Sequence, residues 1–189
     1  MIPNSKFQIL NSKNGFTLLE LIISIAIITT LIGIFLANYH GGNKRTELIM
    51  IAQKMVTDIR LAQNNTLGSV KYGDDIPAGG WGVHFNLYEN DSGYLIFADL
   101  DEDSAYDSGE GNEDNGARLI NFPDYIKIES ISVGLGQRVD IVFVPPDPVT
   151  IINYGPGTSS EVTITLKEDV QGSTKDIYVN FFGLIEAID

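Results

Sequence analysis

Asp99, Asp101, Asp103, Ala105, Asp107 and Glu110 stand at positions one, three, five, seven, nine and twelve of the stretch "DLDEDSAYDSGE". Oxygen donors at alternate positions, one of them a backbone carbonyl, with a final bidentate carboxylate, are what a calcium ion takes from a twelve-residue loop. Between Asp99 and Asp114 the chain has eight acidic residues and no base. Mutual repulsion disfavours a compact loop there unless a cation or open solvent relieves it. Ser104 occupies the sixth position, where such a loop turns on glycine. The stretch follows "YLIFADL", which reads as a strand and not as the helix of an EF-hand. The expectation is a structural Ca²⁺ held by an EF-hand-like loop set in a sheet, with Glu113 or Asp114 as substitutes for Glu110. A solvated acidic loop is the competing reading.

A second acidic residue raises a different question. Phe16 to Ala37 is a 22-residue, almost unbroken apolar run, and Glu20 lies inside it. As a helix the run is about 33 Å long, the thickness of a hydrocarbon core. Lys6 and Lys13 precede it and no acid does, so the positive-inside rule leaves the N-terminus in the cytoplasm and the remainder outside. The run is too long for a secretory signal, and "IFLANYH" is a poor cleavage site. An acid within a span calls for a partner or a function. Cutting between Gly15 and Phe16 creates an α-amino group about one helical turn from Glu20. In a bundle of such helices, a neighbour's amine would meet Glu20 at low dielectric and fix the axial register.

"KNGFTLLELI" resembles the N-terminus of type IV prepilins and type II secretion pseudopilins. The resemblance implies a basic leader over residues 1–15 ending at Gly15, removal by prepilin peptidase, N-methylation of Phe16, and an assembly role for Glu20. It further implies other pilin or pseudopilin subunits and an inner-membrane assembly platform as partners. The protein would begin as a single-pass inner-membrane protein and end in an extracytoplasmic filament. Leu36 and Ala37 stand where many major pilins carry a proline.

The remaining elements must hold these two features. Gly41 and Gly42 predict a kink or break, with Thr46 and Glu47 restarting the helix. Leu48, Ala52, Met55, Ile59, Ala62 and Thr66 then recur every three or four residues and define one buried helical face. Gly68 is the expected stop. The helix is thus assigned to 16–68, with 16–37 in the membrane or filament core, and 69–189 to a β-rich head. "WGVHFNLY", "YLIFADL", "YIKIESISV", "RVDIVFV", "EVTITL" and "DIYVNFFGLIEAI" are short β-branched or aromatic runs divided by turn clusters. The fold class is α+β: a long N-terminal hydrophobic helix continuing into a mainly antiparallel head. "IAQKMVTDIRLAQNNTL", "GGWGVHF" and a terminal strand pair hinged near Gly183 are together similar to minor pseudopilins of the GspH/FimT type, whose subunits prime or cap a filament.

Composition excludes several functions. There is no cysteine, and the two histidines, His40 and His84, are far apart, so thiolate and multi-histidine metal sites are ruled out. Twenty-five acids against twelve bases give a formal net charge of −13, which repels nucleic acid. Some FimT-like proteins bind DNA through a basic C-terminal end, but "GLIEAID" is acidic and does not carry that activity over. His84 alternates with Trp81, Val83 and Phe85 and reads as a half-buried strand residue without a nucleophile. No phosphate-cradling loop, nucleophile elbow or HExxH occurs, so no enzyme is expected. A minor or priming filament subunit is the leading reading. The alternatives are a major pilin and a membrane-anchored calcium-binding module that never polymerises.

Overall fold

The computed structural model describes residues 15–107, 118–134, 137–147 and 149–188. The first element, α1, is a single helix over Leu18–Leu67. Thr17 caps its N-terminus: the Glu20 N–H donates to Thr17 Oγ1 at 3.2 Å, satisfying one of the helix's orphan donors. Within its apolar first half, the hydroxyls of Ser24 and Thr30 donate to the carbonyls of Glu20 and Ala26 at 2.7 and 2.8 Å. Back-bonding of this kind leaves no hydroxyl unsatisfied in hydrocarbon. Leu18–Leu36 is long and apolar enough to cross a membrane and is wholly exposed.

The break expected at Gly41 and Gly42 does not occur, and helix runs without interruption through both. A glycine lowers helix propensity by about 1 kcal/mol, but propagation needs no new nucleus, so helix already formed on either side is carried across. No restart at Thr46 is needed. The helix stops as expected at Gly68, whose N–H bonds the Asn64 carbonyl at 2.8 Å. The left-handed residue is the next one, Ser69, at φ 50°.

Among the described residues the head has ten strands: β1 (Gly80–Asn86), β2 (Asn90–Asp99), β3 (Arg118–Asn121), β4 (Ile126–Ile131), β5 (Arg138–Val144), β6 (Val149–Asn153), β7 (Thr158–Ser159), β8 (Glu161–Glu168), β9 (Thr174–Asn180) and β10 (Ile185–Ile188). Every pairing is antiparallel. They form a six-stranded sheet, β3-β2-β1-β5-β6-β7, and a four-stranded sheet, β10-β9-β8-β4. The helical stripe Leu48, Ala52, Met55, Ile59 and Ala62 is buried in one core with the inward residues of both sheets, among them Trp81, Val83, Phe85, Ile164 and Ile177. β8 alternates cleanly, with Val162, Ile164 and Leu166 inward. β5 does not alternate: Val139 to Phe143 are all buried, as a central strand covered on both faces must be.

Thr66 does more than fill its place on the stripe. Its hydroxyl donates to the Phe143 carbonyl and accepts from the Trp81 N–H, each at 2.9 Å. One side chain thus joins α1 to β1 and β5. Arg60 adds a second tie, donating to the Ile185 carbonyl of β10 at 2.7 Å. Nearby, Asp58 accepts from Lys54, Tyr94 and Arg118 at 2.5, 2.6 and 3.1 Å. Burial, reinforced by that carboxylate, holds the Tyr94 phenol far above its ordinary pKa.

Thr66→Val leaves a buried N–H and a buried carbonyl without partners and should cost about 1–3 kcal/mol. Denaturation of the full chain in detergent, followed by the emission of Trp81, measures it, and Thr66→Ser should restore stability.

Candidate functional site

Two sites invite functional reading, and they lie in separate units of the chain. At the N-terminal end, Gly15 and Phe16 precede the helix and the Phe16 side chain is 80% exposed. Glu20 falls in the first turn of α1, where the positive end of the helix dipole favours a carboxylate. Thr17 and Glu20 stand at N-cap and N3, the spacing of a capping box. The first turn therefore contributes to Glu20's tolerance by its own charge distribution. Sequence reasoning missed that role of Thr17, which the T-x-x-E spacing carried.

The second site is the loop after β2. Asp99, Asp101 and Asp103 each bring a carboxylate oxygen within 4.8 Å of the other two. Two oxygens bound to one calcium at about 2.3–2.6 Å are at most about 5 Å apart, so this spacing fits a shared ion. Asp99 is fully buried, while Asp101 and Asp103 are exposed. The Asp99 carboxylate accepts the N–H of Glu102 at 2.8 Å and of Ser104 at 3.0 Å. Asp103 accepts the Ala105 N–H at 2.8 Å. Gly79 makes room for Asp99, since a Cβ there would lie 2.2 Å from the carboxylate. Glu102 and Ser104 have φ of 65° and 61°, left-handed values that strain any residue but glycine. The turn glycine missing at Ser104 is thus a missing residue and not a missing turn. Asp107 is exposed and stands outside the carboxylate group. Glu110, with Glu113 and Asp114, lies outside the described residues.

The loop folds back over the second face of the large sheet. There the registers align Leu119, Leu95, His84, Asp140 and Asn153 in one row across five strands. His84 Nδ1 and Asp140 Oδ1 are 2.5 Å apart and both side chains are buried. Arg138 donates to Asp140 at 3.1 Å and to the Tyr106 carbonyl at 3.1 Å. Asn153 donates to the Ser104 carbonyl at 3.0 Å. The Tyr106 ring lies against His84 and Phe97, with centroids 4.7 and 5.5 Å away. His84 is therefore a satisfied strand residue, and its partners clip the acidic loop to the sheet. Asp140, Arg138 and Asn153 were missed in sequence because they are contiguous only across strands.

Residues 10–36 match the model of the prokaryotic N-terminal methylation motif.

The match indicates a type IV prepilin-like protein and supports a pilin-like or pseudopilin subunit. Such a motif implies, in general terms, processing by prepilin peptidase and assembly with other pilin subunits. It points to a structural subunit, and the exposed apolar segment Leu18–Leu36 within it suggests a membrane anchor. Comparison with curated proteins and with solved structures gave no match.

The Asp99 carboxyl carries a measurable signature. Burial, and then Asp103 and Asp101, raise its pKa above the usual 3.8, against the pull of the two backbone N–H groups. A raised folded value means the folded state holds the proton more tightly. Its contribution to stability is then full below the unfolded pKa and is lost as pH rises through the folded one. In chelator, stability relative to Asp99→Asn should fall as pH climbs above about 3.9. Thermal melts of both proteins between acid and neutral pH test this, and a pH-independent difference would refute it.

Proposed function

We propose that this chain is a subunit of a type IV pilus or type II secretion pseudopilus, in a minor or priming position, and catalyses nothing. In this reading prepilin peptidase cuts after Gly15, Phe16 becomes the methylated N-terminus, and Glu20 pairs with the amine of a neighbouring subunit. The carrying observation is the methylation motif over residues 10–36, with Glu20 in the first turn of a fully exposed apolar helix. Loss of Lys6 and Lys13 with the leader takes the formal net charge from −13 to −15. Nothing basic then remains ahead of the helix except the new amine. A major pilin would share this chemistry and differ in copy number within purified filaments.

Glu20→Leu separates a filament subunit from an anchored module. Leaving a neighbour's amine unpaired in the bundle costs about 3–5 kcal/mol. Insertion and cleavage should stay normal, with Phe16 found by mass spectrometry as the mature N-terminus, while filaments are lost. Gly15→Leu should abolish cleavage. Filaments formed normally by Glu20→Leu would sink the reading.

We also propose that the acidic loop binds calcium as a structural ion. Asp99, Asp101 and Asp103 would hold it, with the Ala105 carbonyl, Asp107 and Glu110 as the further donors expected from spacing. The specific support is the convergence of three carboxylates around a buried Asp99. The ion would cancel their repulsion and relieve the cost of burying Asp99 charged. At roughly ten to a hundred times the dissociation constant, calcium should add about 1.4–2.7 kcal/mol. Differential scanning calorimetry of the full chain in detergent, with calcium and with chelator, reads this as a rise in Tm. Asp101→Ala with Asp103→Ala should abolish the rise, and an equal response in both proteins would remove the site.

A further inference from the structure

The bond to Asp140 occupies one ring nitrogen of His84 and leaves the other. Asp140 also accepts from Arg138 Nε at 3.2 Å and Nη2 at 3.1 Å, so it is a carboxylate and can only accept. Nδ1 of His84 therefore carries the proton of the 2.5 Å bond, and Nε2 presents its lone pair. The two nitrogens point to opposite sides of the ring. With Nδ1 turned to β5, Nε2 is turned to β2 and β3, whose Leu95 and Leu119 continue the row. A cavity of about 130 Å³ opens there, lined among others by His84, Asn90, Leu95, Tyr106, Leu119 and the Glu89 of the β1–β2 turn. His84 is only 7% exposed. Its Nε2 takes no hydrogen bond among the described residues, and the buried polar atoms without partners there are Gln137 Oε1 and Thr150 Oγ1. Nε2 is thus an unused lone pair on a buried side chain, reached from the cavity.

The same cavity has a carboxylate to offer. Glu89 is exposed, and none of the ion pairs among the described residues uses it. Its turn is held in place. The Leu87 N–H donates to the Gln137 carbonyl at 2.7 Å, and the N–H groups of Tyr88 and Ser92 donate to Asn86 Oδ1 and Asn90 Oδ1 at 3.1 Å each. A neutral imidazole lone pair and a free carboxylate on one cavity call for a cation, and the formal net charge of −13 draws cations in. An imidazole that donates its other N–H to a carboxylate has the orientation and basicity of a metal ligand. Imidazole nitrogen suits zinc, nickel and copper, whereas calcium and magnesium take oxygen. At about 30 Å³ per water, the cavity has room for an ion and the two waters that would complete a tetrahedral shell.

We propose that His84 Nε2 and Glu89 hold a zinc-class dication, with Asp140 orienting the imidazole, at a site separate from the acidic loop. Such a site is independent of the filament reading above. The full chain in detergent, carrying Asp101→Ala and Asp103→Ala to remove the loop carboxylates, is titrated with Zn²⁺ by calorimetry. It should bind a single ion. Cu²⁺ in its place should show the remote nitrogen of one coordinated imidazole by pulsed electron paramagnetic resonance. Glu89→Gln alters an exposed side chain outside any described ion pair. It should weaken zinc binding by at least about tenfold and keep the imidazole signal. His84→Gln should abolish both, with Trp81 emission verifying the fold, and His40→Gln should change neither. Because the chain has only two histidines, a signal kept in His40→Gln belongs to His84 even where His84→Gln fails to fold. Absence of the imidazole signal, its loss in His40→Gln, or equal zinc affinity with and without Glu89 overturns the site.

Discussion

The helix stripe from Leu48 to Thr66 is the constraint on which the head depends. Two antiparallel sheets each have an apolar inner face, and a face must be buried against another element to be stable. Leu48, Ala52, Met55, Ile59 and Ala62 are at most 1% exposed and share one core with both sheets. Ala52 and Ala62 alternate along this face with the bulkier Met55 and Ile59, which fill the core. Thr66 converts this non-directional packing into a fixed position, because its hydroxyl must meet the Trp81 N–H and the Phe143 carbonyl at once. Hydrophobic burial selects the face, and the hydrogen bonds select the register.

Buried carboxylates are the second organising theme, as an acidic chain requires. Each is met by a different set of donors. Asp58 takes Lys54, Tyr94 and Arg118. Asp140 takes His84 and Arg138. Glu168, fully buried at the end of β8, accepts the N–H groups of Val170 and Gln171 at 2.8 Å each. Asp99 has two backbone N–H groups but also two other carboxylates close by. The first three are balanced by protein donors or cations. Asp99 is raised first by its burial and then by the like charge of Asp103 and Asp101, so among these four a cation would find its greatest effect there.

Much of this was legible in sequence, for physical reasons that differ between elements. The stripe of α1 was readable because a period of 3.6 survives in a helix with one buried face. The strands at 80–86, 161–168 and 174–180 were readable because turn residues bracket them and their side chains alternate or are β-branched. Three strands were missed. "RLIN" has only four residues and follows the acidic run, "VTIIN" is squeezed between "PPDP" and "YGPG", and β7 has two residues. "RLIN" and β7 are ordered by pairing to a neighbour more than by their own propensity, whereas "VTIIN" is β-branched and was hidden by the turn residues on either side of it. The glycine pair at 41 and 42 misled in the other direction, since a local propensity cost was read as a boundary. At the acidic loop the spacing of Asp99, Asp101 and Asp103 was informative because alternate positions in a tight turn converge. The polar row that clips the loop was not, because His84, Asp140 and Asn153 are adjacent only through strand register.

That clip bears on how the head uses its charge. An acidic loop left to itself would move away from a sheet that carries Asp140. It stays because its carboxylates and its backbone are treated differently. Asp101 and Asp103 point to solvent, whereas the carbonyls of Ser104 and Tyr106 turn inward to Asn153 and Arg138. Arg138 faces both ways, neutralising Asp140 and holding the Tyr106 carbonyl with the same guanidinium. Tyr106 closes the arrangement by covering His84 and Phe97, which shields the pair at His84 and Asp140 from water and strengthens it. The negative charge is thereby concentrated on one exposed rim, where a cation can reach it, and kept off the sheet face that carries the fold.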